Sequence, residues 1–366
     1  MTIRRGLLMI PFVTGLAGNA EAYQAAPAPN PARLAYLDAE PAGPDFAIQG
    51  EYLGHGEGRG RMGAQVIAEG DGKFAIVVLP GGLPGEGWDG KTRLKAAALR
   101  AESDDFARIT GEGWAGKIGG GKLDGLASDG SKLDMRRVLR ESPLAGLKPP
   151  PGAIVLFDGS GVDHWNSASM TDDHLLKVGG VTKRGFRDFA MHVEFRTPFM
   201  PYARGQNRGN SGVYLLRLYE VQILDSFGLD GKANECGSLY TKAAPSIHMC
   251  YPPLSWQTYD IECRAARFDT DGNKIENAMI SVLHNGIRVQ DEVILRESTH
   301  KGYVEKDLPA TILLQNHNTP VTFRNVWICE LRRDDPGHFD TLRRASRRGS
   351  SEVQPAGDRT STNRTP

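Results

Sequence analysis

Between residues 153 and 335 the sequence breaks into seven short runs rich in branched and aromatic side chains: FAMHVEFRT, GVYLLRL, YEVQILD, TYDIECRAARF, AMISVLHNGIRVQDEV, ATILLQNH and VTFRNVWICEL. None carries a long apolar period of 3.6, so no amphipathic helix competes with a strand reading. LHNGIRV contains Asn285-Gly286, a dipeptide that tolerates the positive φ values of a two-residue hairpin turn. Many short strands at this spacing predict an all-β sandwich, in which one sheet curves and offers a concave face to a ligand.

Outside this region the chain changes character. Residues 42–148 are Gly-rich with short alternating runs, and GAQVIAEGDGKFAIVVLPGG reads as a hairpin of strands 65–68 and 74–79 around Gly70, Asp71 and Gly72. FARITGEGWAGKIGGGKLDGLA reads as a second, weaker one. Nothing there clusters acid, base and ligand types, so a small β domain for packing or attachment is expected. Pro149, Pro150 and Pro151 then mark an extended linker and a boundary to a domain over 152–335. The first 22 residues have Arg4 and Arg5, an apolar run and a small-x-small end at Ala20 and Ala22, the pattern of a cleaved signal peptide. Export to the periplasm or outside the cell is expected, followed by a Pro/Ala linker over 23–41. The tail over 340–366 is basic, Ser/Thr/Pro-rich and poor in apolar residues, a composition expected to be disordered.

Charge narrows the partners. Lys plus Arg and Asp plus Glu both number 44, so no net field favours nucleic acid or an anionic membrane. No later run approaches the roughly 18 apolar residues of a membrane span. Four cysteines suit an oxidising compartment, and Cys236 and Cys250, flanking a loop-like segment, are the expected disulfide. Cys263 and Cys329 lie in strand-like runs, as a second bridge or as buried thiols.

The polar residues inside these strands need an account. In GNSGVYLLRLYEVQILDSFG, alternation puts Glu220 and Gln222 on one face, and a bulge would bring Asp225 to join them. In ATILLQNH, Gln315 and His317 share a face. Such a face is the ordinary solvated side of an antiparallel sheet, or it is covered by a polyhydroxylated ligand. Trp165, Trp256 and Tyr240 are available to stack on sugar rings. FDTDGNKIEN alternates oxygen donors at Asp269, Asp271 and Asn273, as a calcium loop does, but Asp271-Gly272 also reads as a simple hairpin turn. The residues require no cofactor, with a divalent cation such as calcium as the open alternative.

An ordered set of segments, LFDGSGVDHW, RGNSGVYLLRLYEVQILDSFG, CGSLY, WQTYDIECRAARF, LHNGIRVQD and LLQNHNTPVTFRNVWICEL, resembles the 3-keto-disaccharide hydrolase or 3-keto-glucoside lyase and hydratase family over residues 152–333. The resemblance implies a concanavalin A-like jelly-roll sandwich similar to laminarinase-type glycosidases, and a carbohydrate substrate. Two positions depart from the family pattern: Asn316 stands where the family has Asp, and Leu218 where it has Gly. Laminarinase-type enzymes carry a central Asp on the corresponding strand, and the amide of Gln222 here argues against double-displacement hydrolysis. The family's chemistry uses the acidity that a C3 ketone gives the C2 proton: a base removes it, the C1 aglycone leaves, and water adds to the enone. The resemblance makes Glu220 or His317 the base and Asp225 the acid or a divalent-ion ligand. Asn210, Arg217, Gln222 and Gln315 would hold the sugar. A non-catalytic carbohydrate-binding module and an ordinary endo-glycosidase of laminarinase type are the competing readings.

Overall fold

The computed structural model describes residues 30–332, apart from 112 and 128. The expected signal peptide and the tail over 340–366 lie outside the described residues.

The first eight strands are β1 (Gly50–Gly56), β2 (Gly60–Gly70), β3 (Lys73–Pro80), β4 (Leu94–Arg100), β5 (Phe106–Thr110), β6 (Trp114–Gly119), β7 (Lys122–Ala127) and β8 (Lys132–Val138). Each pairs antiparallel with the next, and β1 pairs with β8, so the Gly-rich region closes into a barrel. The hairpin read at 65–79 is the β2–β3 pair, turned by Asp71 and Gly72 at φ 53° and 69°. Alternation decides which residues fill the barrel. Tyr52, Ala64, Val66, Phe74, Ile76, Val78 and Met135 are buried together inside it. Their neighbours Ile67, Val77 and Leu79 point outward and join the core of the second half.

That half begins with β9 (Ile154–Phe157), β10 (Trp165–Asn166), β11 (Leu176–Lys177), β12 (Val181–Thr182) and β13 (Phe189–Arg196). It continues with β14 (Ser211–Leu215), β15 (Tyr219–Ile223), β16 (Gln257–Arg264), β17 (Arg267–Phe268) and β18 (Lys274–Glu276). The last four strands are β19 (Ala278–His284), β20 (Ile287–Leu295), β21 (Leu313–Leu314) and β22 (Thr322–Glu330). One sheet runs β10-β12-β21-β14-β15; the other runs β11-β22-β13-β16-β19-β20, with β9 beside β22. Asn285-Gly286 turns β19 into β20, with φ 50° and 77°. The apolar faces of both sheets meet in one core that includes Phe195, Val213, Val221, Tyr259 and Phe323. The protein is therefore an all-β sandwich joined to an eight-stranded barrel. No described helix is long and apolar enough to cross a membrane.

Tyr36, within the segment expected as a linker over 23–41, and the residues leading into the proline run both contact the sandwich half. Tyr36 exchanges backbone hydrogen bonds with Phe199, and α1 (Ala39–Ile48) kinks at Gly43 (φ 74°) ahead of Pro44. Before the proline run, Ser142 Oγ lies 2.7 Å from Thr258 Oγ1, the Gly146 amide donates to Glu194 at 2.6 Å, and Leu144 packs with Leu283 and Trp327. The four cysteines are free thiols, which corrects the expected Cys236–Cys250 disulfide. The two are neighbours, fully buried: Cys236 Sγ lies 3.1 Å from Tyr259 Oη, and Cys250 Sγ points to the Leu224 and Tyr251 carbonyls. Burial holds the Cys250 thiol well above its ordinary pKa, so it stays protonated.

Candidate functional site

The site grows from the β14–β15 hairpin. Register places Gly212 opposite Gln222 and Tyr214 opposite Glu220, all four on the face away from the core. Val213, Leu215, Val221 and Ile223 take the other side and anchor the pair. Beside Gly212, the Gln315 amide donates to the Gly212 carbonyl at 2.9 Å, which continues the face onto the end of β21. Glycine is required at 212: a Cβ there would come within 2.4 Å of the Glu220 carboxylate and 2.9 Å of its Cγ.

Glu220 is the centre of this face. It is 2% exposed, and burial raises its pKa to about 7, against the opposing hydrogen bond from Tyr214. Tyr214 Oη donates to Glu220 Oε2 at 2.8 Å and accepts from Gln315 Nε2 at 3.2 Å. Burial, then the Glu220 charge, pushes the Tyr214 phenol far above its ordinary pKa, so it remains a donor. His300 completes the cluster, with ring nitrogens 3.2 and 3.3 Å from Tyr214 Oη and Nδ1 3.9 Å from Glu220 Oε2. Its position is fixed from the hairpin turn: Ser298 Oγ and Thr299 Oγ1 both donate to the Leu218 carbonyl, and the Glu220 amide donates to Thr299 Oγ1. Tyr240 and Tyr303 flank the His300 ring, with centroids at 6.3 and 6.2 Å.

The amides form the second part. Gln206, in the short 3-10 turn Gly205–Asn207, accepts from Gln222 Nε2 at 3.0 Å and from Asn210 Nδ2 at 2.7 Å through its carbonyl. Three side-chain oxygens, Asn210 Oδ1, Gln222 Oε1 and Gln315 Oε1, are buried without a protein partner. An unpaired buried carbonyl is costly, and three on one side of a sheet call for hydroxyl donors.

Asp225, Arg217 and His317 are not part of this cluster. β15 ends at Ile223, and Asp225 instead meets Arg208 Nε at 2.7 Å. Arg217 sits exposed in the hairpin turn, where Leu216 and Arg217 both have positive φ (55° and 60°). His317 is exposed because β21 stops after two residues, so the alternation counted from Thr311 does not persist. Of the aromatics, Trp165 is core, donating to Leu156 O at 2.8 Å, and Trp256 is stacked under Arg324; only Tyr240 reaches the site. Sequence reading missed Tyr214, Gln206 and His300. Tyr214 had a signal, since the strand partner of a polar face carries the other half of it.

No three His, Cys, Asp or Glu side chains converge as a metal set among the described residues. Asp269 in particular is occupied by its own turn, accepting from the Asp271 and Asn273 amides and from Asn273 Nδ2.

Residues 152–329 match the family model described as the 3-keto-alpha-glucoside-1,2-lyase-like domain. The chain belongs to this family through its sandwich. Among solved structures, a protein of Parabacteroides distasonis ATCC 8503, provisionally named a glycosyl hydrolase, is 32% identical, with 50% of this chain and 85% of that one covered and a TM-score of 0.45. A second from the same organism, named in the same way, is 22% identical, covering 49% of this chain and 99% of that one at a TM-score of 0.35. No curated protein sequence matches the chain. The family segment contains every residue of the site, from Gln206 to Gln315, and none of the barrel strands.

Proposed function

We propose that the β14–β15 face cleaves 3-keto-glucosides by elimination followed by hydration, with Glu220 as the base. The observation that carries this reading is a single buried carboxylate with a pKa of about 7, bonded to a protonated phenol. Hydrolysis by two carboxylates needs a partner about 5–10 Å away across the scissile bond. The expected partner, Asp225, is committed to Arg208.

A lone base poised near neutrality suits abstraction of a carbon-bound proton made acidic by an adjacent ketone. Glu220 takes the C2 proton of the 3-keto sugar, and the electron pair moves through the C3 enolate to break the C1–O bond. Tyr214 and His300, both at the carboxylate, supply donors for the enolate oxygen or the departing aglycone oxygen. Water then adds across the enone and releases the free 3-keto sugar. The Asn210, Gln222 and Gln315 oxygens accept from the remaining sugar hydroxyls, and Tyr240 or Tyr303 offers a ring face. Export remains part of the proposal, on the N-terminal sequence pattern alone.

The deciding experiment is product analysis by mass spectrometry with matched 3-keto and unoxidised glycosides. Cleavage confined to the 3-keto set, with a glycal-type enone trapped early, is the expected result. Cleavage of the unoxidised set would replace this reading with ordinary glycoside hydrolysis, and binding without turnover would make the face a carbohydrate-binding surface.

A further inference from the structure

The segment that turns Gln206 toward Asn210 and Gln222 also gives Arg204, Gly205 and Arg208 to a separate cavity of about 260 Å³. Its other walls come from β2, β3 and β4 of the barrel, with Arg93 just ahead of β4, and from residues 225–230 after β15. Ile67, Val77, Phe227 and Leu229 make one side apolar. An apolar cavity of about 150 Å³ already accommodates benzene, so a ring-sized ligand fits this space.

The polar side of the cavity is built and incompletely satisfied. Arg208, its side chain 6% exposed, spends Nε on Asp225 and Nη1 on the Ala68 carbonyl at 3.2 Å, while Nη2 is buried with no partner. Arg93 donates through Nη2 to the Gly228 carbonyl at 2.5 Å, but its buried Nε stays 3.6 Å from Asp230 without a hydrogen bond. Burial lowers the pKa of both Arg93 and Arg204, and Arg208 lowers that of Arg204 further by repulsion. With Lys95 the lining holds four cations against Glu69, Asp225 and Asp230, a surplus of one positive charge.

We propose that this cavity is a second small-molecule site, which binds a monocarboxylate with a flat apolar body against the guanidinium groups of Arg93 and Arg208 in its lining. A guanidinium fork matches a carboxylate in plane and charge. The single surplus charge favours a monoanion over a phosphate, and the aliphatic wall favours a ring over a bare ion such as acetate. This site shares no residue with the Glu220 face and does not depend on the reaction proposed there.

Isothermal titration of the full chain with benzoate, benzyl alcohol and acetate tests the proposal. Benzoate should bind, and the neutral benzyl alcohol and the small acetate should bind at least about ten-fold more weakly. Arg93→Gln removes one donor, and Ala75→Leu fills the cavity without touching a charge; each should weaken benzoate by about ten-fold or more. If Arg93→Gln fails to fold by circular dichroism, Ala75→Leu decides alone. Equal binding of alcohol and acid, no heat with benzoate at millimolar concentration, or full retention of binding in Ala75→Leu would overturn the proposal.

Discussion

Tyr214 and Glu220 face one another across the β14–β15 ladder, and their 2.8 Å hydrogen bond joins the most buried carboxylate of the face to a phenol that never ionises at physiological pH. The carboxylate's pKa of about 7 is the balance of burial against that bond. Both activity and stability follow from it.

Glu220→Gln should abolish turnover of 3-keto substrates by about 10³-fold or more, since a positioned base contributes roughly 10²–10⁴. The same variant should be more stable at alkaline pH. The native carboxyl holds its proton up to about 7, while the unfolded chain releases it near 4.5, so the favourable contribution is complete below 4.5 and is lost as pH rises through 7. An amide escapes that loss, which is on the order of a few kcal/mol. Urea unfolding at pH 4 and pH 8 should show the variant gaining on the wild type only at the higher pH.

Tyr214→Phe removes the one hydrogen bond that holds the Glu220 pKa down. The ionised, basic form of Glu220 should then appear at higher pH. The pH–rate profile for kcat/KM should keep its shape, with its acidic limb displaced above 7 and its plateau reduced about ten-fold or more. A limb that stays in place would remove Glu220 from the role of titrating base.

His192, on β13 of the other sheet, is completely buried between Asp260 at 2.7 Å and Glu194 at 3.5 Å. Burial disfavours its cation, but the two carboxylates outweigh burial and raise its pKa to about 9. Its stabilising contribution is therefore complete below about 6.5, the unfolded value, and disappears as pH rises through 9. Thermal unfolding midpoints should fall between pH 7 and 9.5, and His192→Gln should flatten that slope.

The hairpin tip places two bulky residues, Leu216 and Arg217, at φ 55° and 60°. Side chains with a Cβ pay roughly 1 kcal/mol each in that region, a cost Gly lacks and Asn offsets by local hydrogen bonds. Arg217 is exposed whereas Leu216 is buried in the core, so Arg217→Gly alone should raise stability by up to about 1 kcal/mol, read as a higher denaturation midpoint in urea, and Leu216→Asn should lower it.

How the sequence related to this site depends on strand length. Two-residue alternation placed Glu220 and Gln222 together because β15 is regular from Tyr219 to Ile223. It misplaced His317 and Asp225 because each lies just beyond a strand end, where alternation no longer applies. His300 was illegible for another reason. It reaches Glu220 from 80 residues away in sequence, through three hydrogen bonds to the turn at Leu218 and Glu220 that have no local pattern. Barrel closure was hidden likewise: both hairpins in 42–148 have local turn signals, but the β1–β8 pairing that closes the ring joins Glu51 to Val138.

Ile67, Val77, Leu79 and Leu83 leave the barrel to enter the core of the sandwich. Four buried aliphatic side chains contribute roughly 1.5–3 kcal/mol each, together comparable to the whole net stability of an ordinary domain. The barrel is therefore a wall of the sandwich, and the sandwich cut free at residue 150 would present that wall's footprint to water as a sticky apolar scar. Calorimetry on the intact chain should register one cooperative heat-absorption peak, because neither half keeps a complete interior once the other melts.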